Sequence, residues 1–220
     1  MNATLLHGFA GDASAWRDVP FEGIAIALPG HGGGDVRPTW DDNLAALGSH
    51  ELVIGYSLGA RVALGLFAAG RAERAILISV NPGVVDDRAA RRASDAAWAR
   101  MLREQGIAAF ADAWNAQPLF ASQRRVDPEK LAARRAARLR HDPEQLARSL
   151  EVMGLAEMPD YTTAARDPRV MIVAGADDAK YLAIAQQLGL AVTTIAACGH
   201  DPTLEQPAAL AAQLANFARR

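Results

Sequence analysis

The sequence predicts an α/β domain: a mostly parallel sheet of about six strands, flanking helices, and a helical cap inserted between two of the strands. Three observations carry this. Short apolar runs alternate with helical patterns along most of the chain, as expected of strands joined by helical crossovers. Several runs, such as Leu52-Val53-Ile54, Ala75-Ile76-Leu77-Ile78 and Val170-Met171-Ile172-Val173, are continuously apolar, the mark of strands buried on both faces. Between Asn81 and Asp167 the alternation stops, and helical patterns follow one another without a convincing strand. A stretch of that length between core strands is an inserted substructure rather than a loop.

Taken in order, strands are expected at Ala3–His7, Gly23–Leu28, Glu51–Gly55, Ala75–Val80, Arg169–Ala174 and Ala191–Ala196. Helices are expected at Asp41–Leu47, Ser57–Ala69, Ala179–Leu188 and Glu205–Arg219. In the last of these, Leu210, Leu214 and Phe217 recur at helical spacing and should pack on the sheet. The insert reads as helices at Ala89–Gln105, Ala108–Trp114, Asp127–Leu139 and Pro143–Gly154. The division is therefore a core of residues 1–83 and 161–220 with a cap of residues 84–160.

A chain of 220 residues buries roughly 70% of its unfolded surface in one core, so it needs no disulfides. Its one cysteine, Cys198, excludes an internal disulfide framework. A net charge of −2 argues against general nucleic-acid binding, which phosphate neutralisation drives. The N-terminal residues carry no basic and apolar leader pattern, and no run approaches the roughly 18 apolar residues of a membrane helix. The expectation is a cytoplasmic monomer with no membrane and no nucleic-acid partner. Of the 23 basic residues only Lys130 and Lys180 are lysines, so arginine abundance by itself marks no site.

The strongest chemical signal is Gly55-Tyr56-Ser57-Leu58-Gly59. It follows a strand and opens an apolar helix, the strand–turn–helix setting that a G-x-S-x-G nucleophile elbow requires. The tight turn would project Ser57 Oγ above the sheet and leave the Leu58 N–H, at a helix N-terminus, facing a developing oxyanion. His7-Gly8-Phe9-Ala10-Gly11 follows the first strand, where the Phe9 N–H can supply a second oxyanion donor. His7 itself reads as a loop anchor. A serine needs a base and the base an orienter, in chain order Ser, Asp or Glu, His. Asp178 and His200 each follow a strand in that order, with Asp177 an open alternative to Asp178. His31, His50 and His141 fit the base role poorly, Asp201 is badly placed to orient its neighbour, and Cys198 reads as a buried strand-end thiol. No metal-ligand spacing is present, and Gly32-Gly33-Gly34 lacks the Lys-Ser or Lys-Thr of a phosphate loop. No cofactor is expected.

These residues resemble the α/β-hydrolase superfamily, and within it the 2-succinyl-6-hydroxy-2,4-cyclohexadiene-1-carboxylate synthase family, the pyruvate-eliminating lyases of menaquinone biosynthesis. The resemblance rests on His7-Gly8-Phe9-Ala10-Gly11-Asp12 with Trp16, Leu28-Pro29-Gly30-His31-Gly32, Gly55-Tyr56-Ser57-Leu58-Gly59-Ala60-Arg61 and Asn81-Pro82-Gly83. In the cap it rests on Arg88, Arg91, Ser94-Asp95, Trp98, Ala111-Asp112-Ala113-Trp114 and Gln117-Pro118-Leu119-Phe120-Ala121-Ser122. Gly175-Ala176-Asp177-Asp178-Ala179-Lys180 and Gly199-His200 with Glu205 and Pro207 complete it. The elbow pieces are shared with many hydrolases, whereas the cap pieces are more specific.

The resemblance selects Asp178 over Asp177. It implies that Ser57, activated by His200 and Asp178, acts as a base that abstracts a proton and expels pyruvate, without water or an acyl-enzyme. Phe9 and Leu58 N–H groups would stabilise enolate charge, and arginine forks would hold substrate carboxylates. Arg61, one helical turn after Ser57, and Arg91 from the cap are the candidate carboxylate ligands, with Tyr56 and Trp114 as pocket walls and Lys180 solvated. The partner is a small polycarboxylate. An N-terminal hairpin usual in the family is expected to be missing, leaving Gly23–Leu28 as a sheet edge where Ala25 and Ala27 expose little bulk. Two other readings stand beside the lyase: a small-molecule carboxylesterase using the same triad, and a ligand-binding member of the fold without turnover. Paired cations favour the lyase, because a neutral ester gains nothing from desolvating them.

Overall fold

A computed structural model describes residues 2–219. In chain order the elements are β1 (Ala3–Leu6), β2 (Ile24–Ile26), α1 (Trp40–Ala46), β3 (His50–Tyr56), α2 (Leu58–Ala68) and β4 (Ala72–Ile78). Then come α3 (Arg88–Asn115), α4 (Pro128–Arg138), α5 (Pro143–Met153) and α6 (Thr162–Ala165). The chain closes with β5 (Val170–Gly175), α7 (Ala179–Gln187), β6 (Thr193–Ile195), α8 (Pro202–Glu205) and α9 (Pro207–Ala218). All six strands are parallel in the order β2-β1-β3-β4-β5-β6.

The continuous apolar runs are continuous because each strand serves two cores. Side chains alternate across a strand, so Val53, Ala75, Leu77 and Ile172 face one layer with Leu58, Val62 and Leu66 of α2. Leu52, Ile54, Ile76, Ile78 and Val173 face the other, where Leu210, Leu214 and Phe217 of α9 cover them as their spacing predicts. A third cluster lies above the strand ends. Leu102 and Phe110 of α3 and Leu146 and Leu150 of α5 pack on Ala10, with Phe9 against them, so the helical segment rests on the loop after β1.

Several ends differ from expectation, each for a local reason. β4 stops at Ile78, because Ser79 adopts φ 53, a left-handed conformation no strand accommodates. β6 is only Thr193–Ile195, with Ala197 at φ 52 just beyond it. The last helix begins at Pro207 rather than Glu205: Glu205 ends the short α8, which Pro202 opens, and Gln206 lies between α8 and α9 at φ −143. Proline suits a first helical turn and blocks continuation from behind. By contrast, the two helices expected before and after residue 106 are both present: α3 contains them, separated by non-helical Gly106 at φ 79. Residues Pro118–Arg125 form 3₁₀ turns, and α6 is a short helix that no periodicity announced. β2 pairs only with β1 among the described residues, so it is an edge strand. Its bulk is not confined to alanine, since Ile24 is 65% exposed there.

Candidate active site

Backbone geometry builds the site first. Ser57 links β3 to α2 at φ 53, ψ −107, a strained turn held by its N–H donating to Ile78 O at 2.9 Å. The flanking glycines are obligatory. A Cβ at Gly55 would lie 2.1 Å from Gly59 O, and one at Gly59 would lie 2.3 Å from Leu6 O. The elbow is therefore pressed against both its own helix and β1, which sets the two candidate oxyanion loops side by side. Leu58 is the first residue of α2, where N–H groups lack intrahelical partners. Phe9 follows β1, the neighbour of β3.

Across this elbow stand the other two residues singled out by chain order. His200 Nε2 lies 3.2 Å from Ser57 Oγ, and His200 Nδ1 lies 2.9 Å from Asp178 Oδ2. With Nδ1–H donating to the carboxylate, Nε2 is free to accept the serine proton. Both Asp178 and His200 are buried. Asp177 points elsewhere: it is surface-exposed and accepts a 2.6 Å bond from Arg125 Nη2. Physical reasoning on sequence left this pair open, and side-chain direction separates them. Asp201 accepts from Thr203 and lies 3.6 Å from Arg134, not against the His200 ring nitrogens. Cys198 is buried, and burial pushes its thiol pKa up, so thiolate chemistry is suppressed.

His7 contrasts with His200. Its Nδ1–H donates to Gly8 O at 2.8 Å, and its Nε2 accepts the Leu28 N–H at 3.1 Å. Both nitrogens are spent on backbone, and burial lowers its pKa to about 4. It anchors the loop that carries Phe9. His31, whose ring centroid is 5.2 Å away, is likewise held neutral by burial.

A cavity of about 250 Å³ opens over Ser57 and His200, walled by Phe9, Tyr56 and Leu58 from the sheet side and Trp98, Trp114 and Leu150 from above. Trp114 packs 5.1 Å from Phe9 between ring centroids and stacks on Phe110 at 5.3 Å. Among the described residues, five cationic side chains line the cavity, Arg61, Arg91, Arg134, Arg138 and Lys180, against the carboxylates of Asp95 and Asp201. Arg61 donates to Met153 O at 2.8 Å and has no carboxylate within ion-pair distance among the described residues. Burial first and then the Arg91 charge lower its pKa to about 10, which still leaves it charged at neutral pH. Arg91 also reaches the cavity, but its fork is engaged by Asp95 at 2.8 and 2.9 Å. Its neighbours do other work: Arg88 binds the carbonyls of Ala156 and Met158, and Arg92 pairs with Glu157.

Sequence reasoning missed Arg134, Arg138 and Tyr181. Arg138 is buried, bonds Ala10 O and Asn115, and has its pKa lowered to about 10 by burial, with no carboxylate at ion-pair distance among the described residues. The i, i+4 spacing of Arg134 and Arg138 on α4 was a readable signal, masked by the general arginine abundance. Tyr181 lies with its ring 4.6 Å from that of His200. Lys180 is exposed as expected, yet it stands on the cavity rim. Among the described residues no cluster of three or more histidine, cysteine or acidic side chains could hold a metal ion, and no helix is long and apolar enough to cross a membrane.

Comparison with known proteins shows the family. The alpha/beta hydrolase family profile matches residues 5–213. A 2-succinyl-6-hydroxy-2,4-cyclohexadiene-1-carboxylate synthase from Klebsiella pneumoniae subsp. pneumoniae is 36% identical, over 96% of this chain and 91% of its own length. The protein of the same name from Escherichia coli O139:H28 is 33% identical, over 97% and 92% respectively. Among solved structures, MenH from S. aureus superposes with a TM-score of 0.89 at 26% identity, covering 100% of this chain and 93% of that one.

Proposed function

We propose that this chain, which belongs to the alpha/beta hydrolase family and within it to the 2-succinyl-6-hydroxy-2,4-cyclohexadiene-1-carboxylate synthases, is a carbon–oxygen lyase. It eliminates pyruvate from 2-succinyl-5-enolpyruvyl-6-hydroxy-3-cyclohexene-1-carboxylate. The observation that carries the reading is a hydrogen-bonded Ser57–His200–Asp178 relay opening into a cavity with more cations than carboxylates.

The chemistry follows from what each group can do. Ser57 Oγ takes the acidic ring proton next to the succinyl ketone as its own proton passes to His200 Nε2. The imidazolium so formed is held by Asp178. Negative charge moving onto the ketone oxygen meets the N–H groups of Phe9 and Leu58, which are fixed before the reaction begins. The ring then expels the enolpyruvyl oxygen. The electron pair left by the ring proton returns from the dienolate to form the diene, the C–O pair departs on the enolpyruvyl oxygen, and that leaving enolate takes the proton from His200 to become pyruvate, which returns His200 to its neutral form. No water is consumed. The carboxylates of the substrate find Arg61, whose guanidinium has no carboxylate partner among the described residues and can bind one at two points, and the positive charge of Arg91, whose fork Asp95 holds.

Residues 84–160 act as the cap over a core of residues 1–83 and 161–220, supplying Arg91 and Trp114 to the substrate while the core supplies the relay. The enzyme works as a cytoplasmic monomer on a small polycarboxylate. The test is pyruvate release from the enolpyruvyl cyclohexene substrate by the intact protein and by Ser57→Ala. Pyruvate that depends on Ser57 supports the lyase. Release of a nitrophenol from neutral esters without pyruvate from the cyclohexene would instead make the chain a serine carboxylesterase.

A further inference from the structure

Glu205 lies outside the relay and the cavity wall, yet its side chain is only 3% exposed. Its Oε2 accepts the Gly199 N–H at 2.8 Å and its Oε1 accepts the Asp201 N–H at 3.2 Å. One carboxylate thus spans the amides on either side of His200. From the opposite direction Ser79, buried and held at φ 53, donates its Oγ–H to the His200 carbonyl at 3.0 Å. The His200 peptide is gripped on its carbonyl and on both flanking amides. A buried carboxylate is tolerated only where charge-assisted bonds replace its water. Arg125 adds a positive charge 3.9 Å away while it binds Asp177, the neighbour of Asp178.

We propose that Glu205 is a positioning residue: by clamping the Gly199 and Asp201 amides it fixes the His200 imidazole at the height where Nε2 meets Ser57 Oγ. This rests on the reading of His200 as the proton acceptor of the relay. The loop carrying His200 follows the three-residue strand β6, so the sheet alone gives it little support. A displacement of about 1 Å at a reacting group costs on the order of 100-fold in rate. The clamp therefore acts on catalysis without touching substrate, and substrate binding should not feel its loss.

The experiment uses Glu205→Gln in the full chain. The carboxamide has the same volume, but it keeps one acceptor oxygen and turns an NH₂ group toward the other amide N–H, so one grip is lost. Glu205→Asp, one methylene shorter, keeps the charge but cannot span both amides, and gives the same comparison if the glutamine variant does not fold. Three experiments are run: amide hydrogen exchange at Gly199 and Asp201, steady-state kinetics giving kcat and KM for pyruvate release, and the rate of Ser57 phosphonylation by a fluorophosphonate. The expected result is faster exchange confined to the His200 loop, with kcat and phosphonylation both lowered about 10- to 100-fold and KM within about twofold. Wild-type kcat and phosphonylation in a variant whose loop exchanges faster would overturn the proposal. Loss of exchange protection throughout the chain, with kcat and KM changed together, would also overturn it by making Glu205 merely structural. If the unaltered protein releases no pyruvate while phosphonylation still slows in the variant, the lyase reading fails and the role of Glu205 stands.

Discussion

The two sides of the cavity solve opposite electrostatic problems. On the sheet side, every polar group of the relay is answered within the protein: Asp178 by His200, and His200 Nε2 by Ser57. Facing the substrate space, half-buried Arg61 of α2 and buried Arg138 of α4 have carbonyl or amide oxygens as partners and no carboxylate at ion-pair distance among the described residues. A buried charge without a counter-charge is costly and survives where something else supplies the opposite sign. The relay is the part a hydrolase of this fold could share. The unneutralised cations fit the anionic substrate proposed above, so this contrast is what the substrate class rests on.

The largest expected effect separates the relay from its surroundings. Ser57→Ala should abolish pyruvate release, and Asp178→Asn should lower kcat by about 10³- to 10⁴-fold. Asp177→Ala should leave turnover within about twofold, because that carboxylate binds Arg125 at the surface. Steady-state assays of the three variants, with thermal melts to verify folding, check this; equal losses at 177 and 178 would dissolve the relay.

Next in size are the cations. Arg61→Ala should raise KM for the polyanionic substrate by about 10- to 100-fold, the worth of one charge-assisted bond at about 1.5–3 kcal/mol. Arg91→Ala should do less, because Asp95 already occupies its fork. Inverted magnitudes in the same assay would show that Asp95 releases Arg91 when substrate binds.

Acid should then destabilise the fold through the loop anchors. The folded pKa of His7 is about 4, below the unfolded value of about 6.5. Between these values the unfolded chain binds a proton that the native state refuses, so stability is full above about pH 6.5 and falls as pH drops toward 4. The loss from His7 is on the order of 3 kcal/mol, and His31, shifted the same way by burial, adds to it. Urea unfolding at pH 7, 5.5 and 4 measures the slope; a midpoint unchanged down to pH 4.5 would contradict it. The smallest effect belongs to Arg92→Ala. This removes an exposed pair with Glu157 and should leave the urea midpoint essentially unmoved.

How much of this was readable in advance depended on whether a feature is local. The apolar runs of β3, β4 and β5 were visible because both faces of each strand are buried. Ser57, Asp178 and His200 were visible because each follows a strand, an order that chain sequence preserves. Strand ends at Ser79 and Ala197 were not, since a left-handed serine or alanine is imposed by neighbours rather than encoded by its own type. Asp178 and Asp177 differ in where their side chains point at the start of α7, which composition cannot express. Arg134 and Arg138 were hidden among 23 basic residues. Phe120 and Tyr181 meet His200 only because a 3₁₀ segment and α7 converge on one loop.

The most direct test of the account places both sides of the cavity in one assay. Wild-type and Arg61→Ala proteins are each given the enolpyruvyl cyclohexene substrate and a neutral nitrophenyl ester, and kcat/KM is measured for pyruvate and for nitrophenol. The account predicts pyruvate formation by the wild type that falls about 10- to 100-fold in the variant, with slow ester cleavage unchanged by the substitution. Ester cleavage without pyruvate, or equal losses on both substrates, would contradict it.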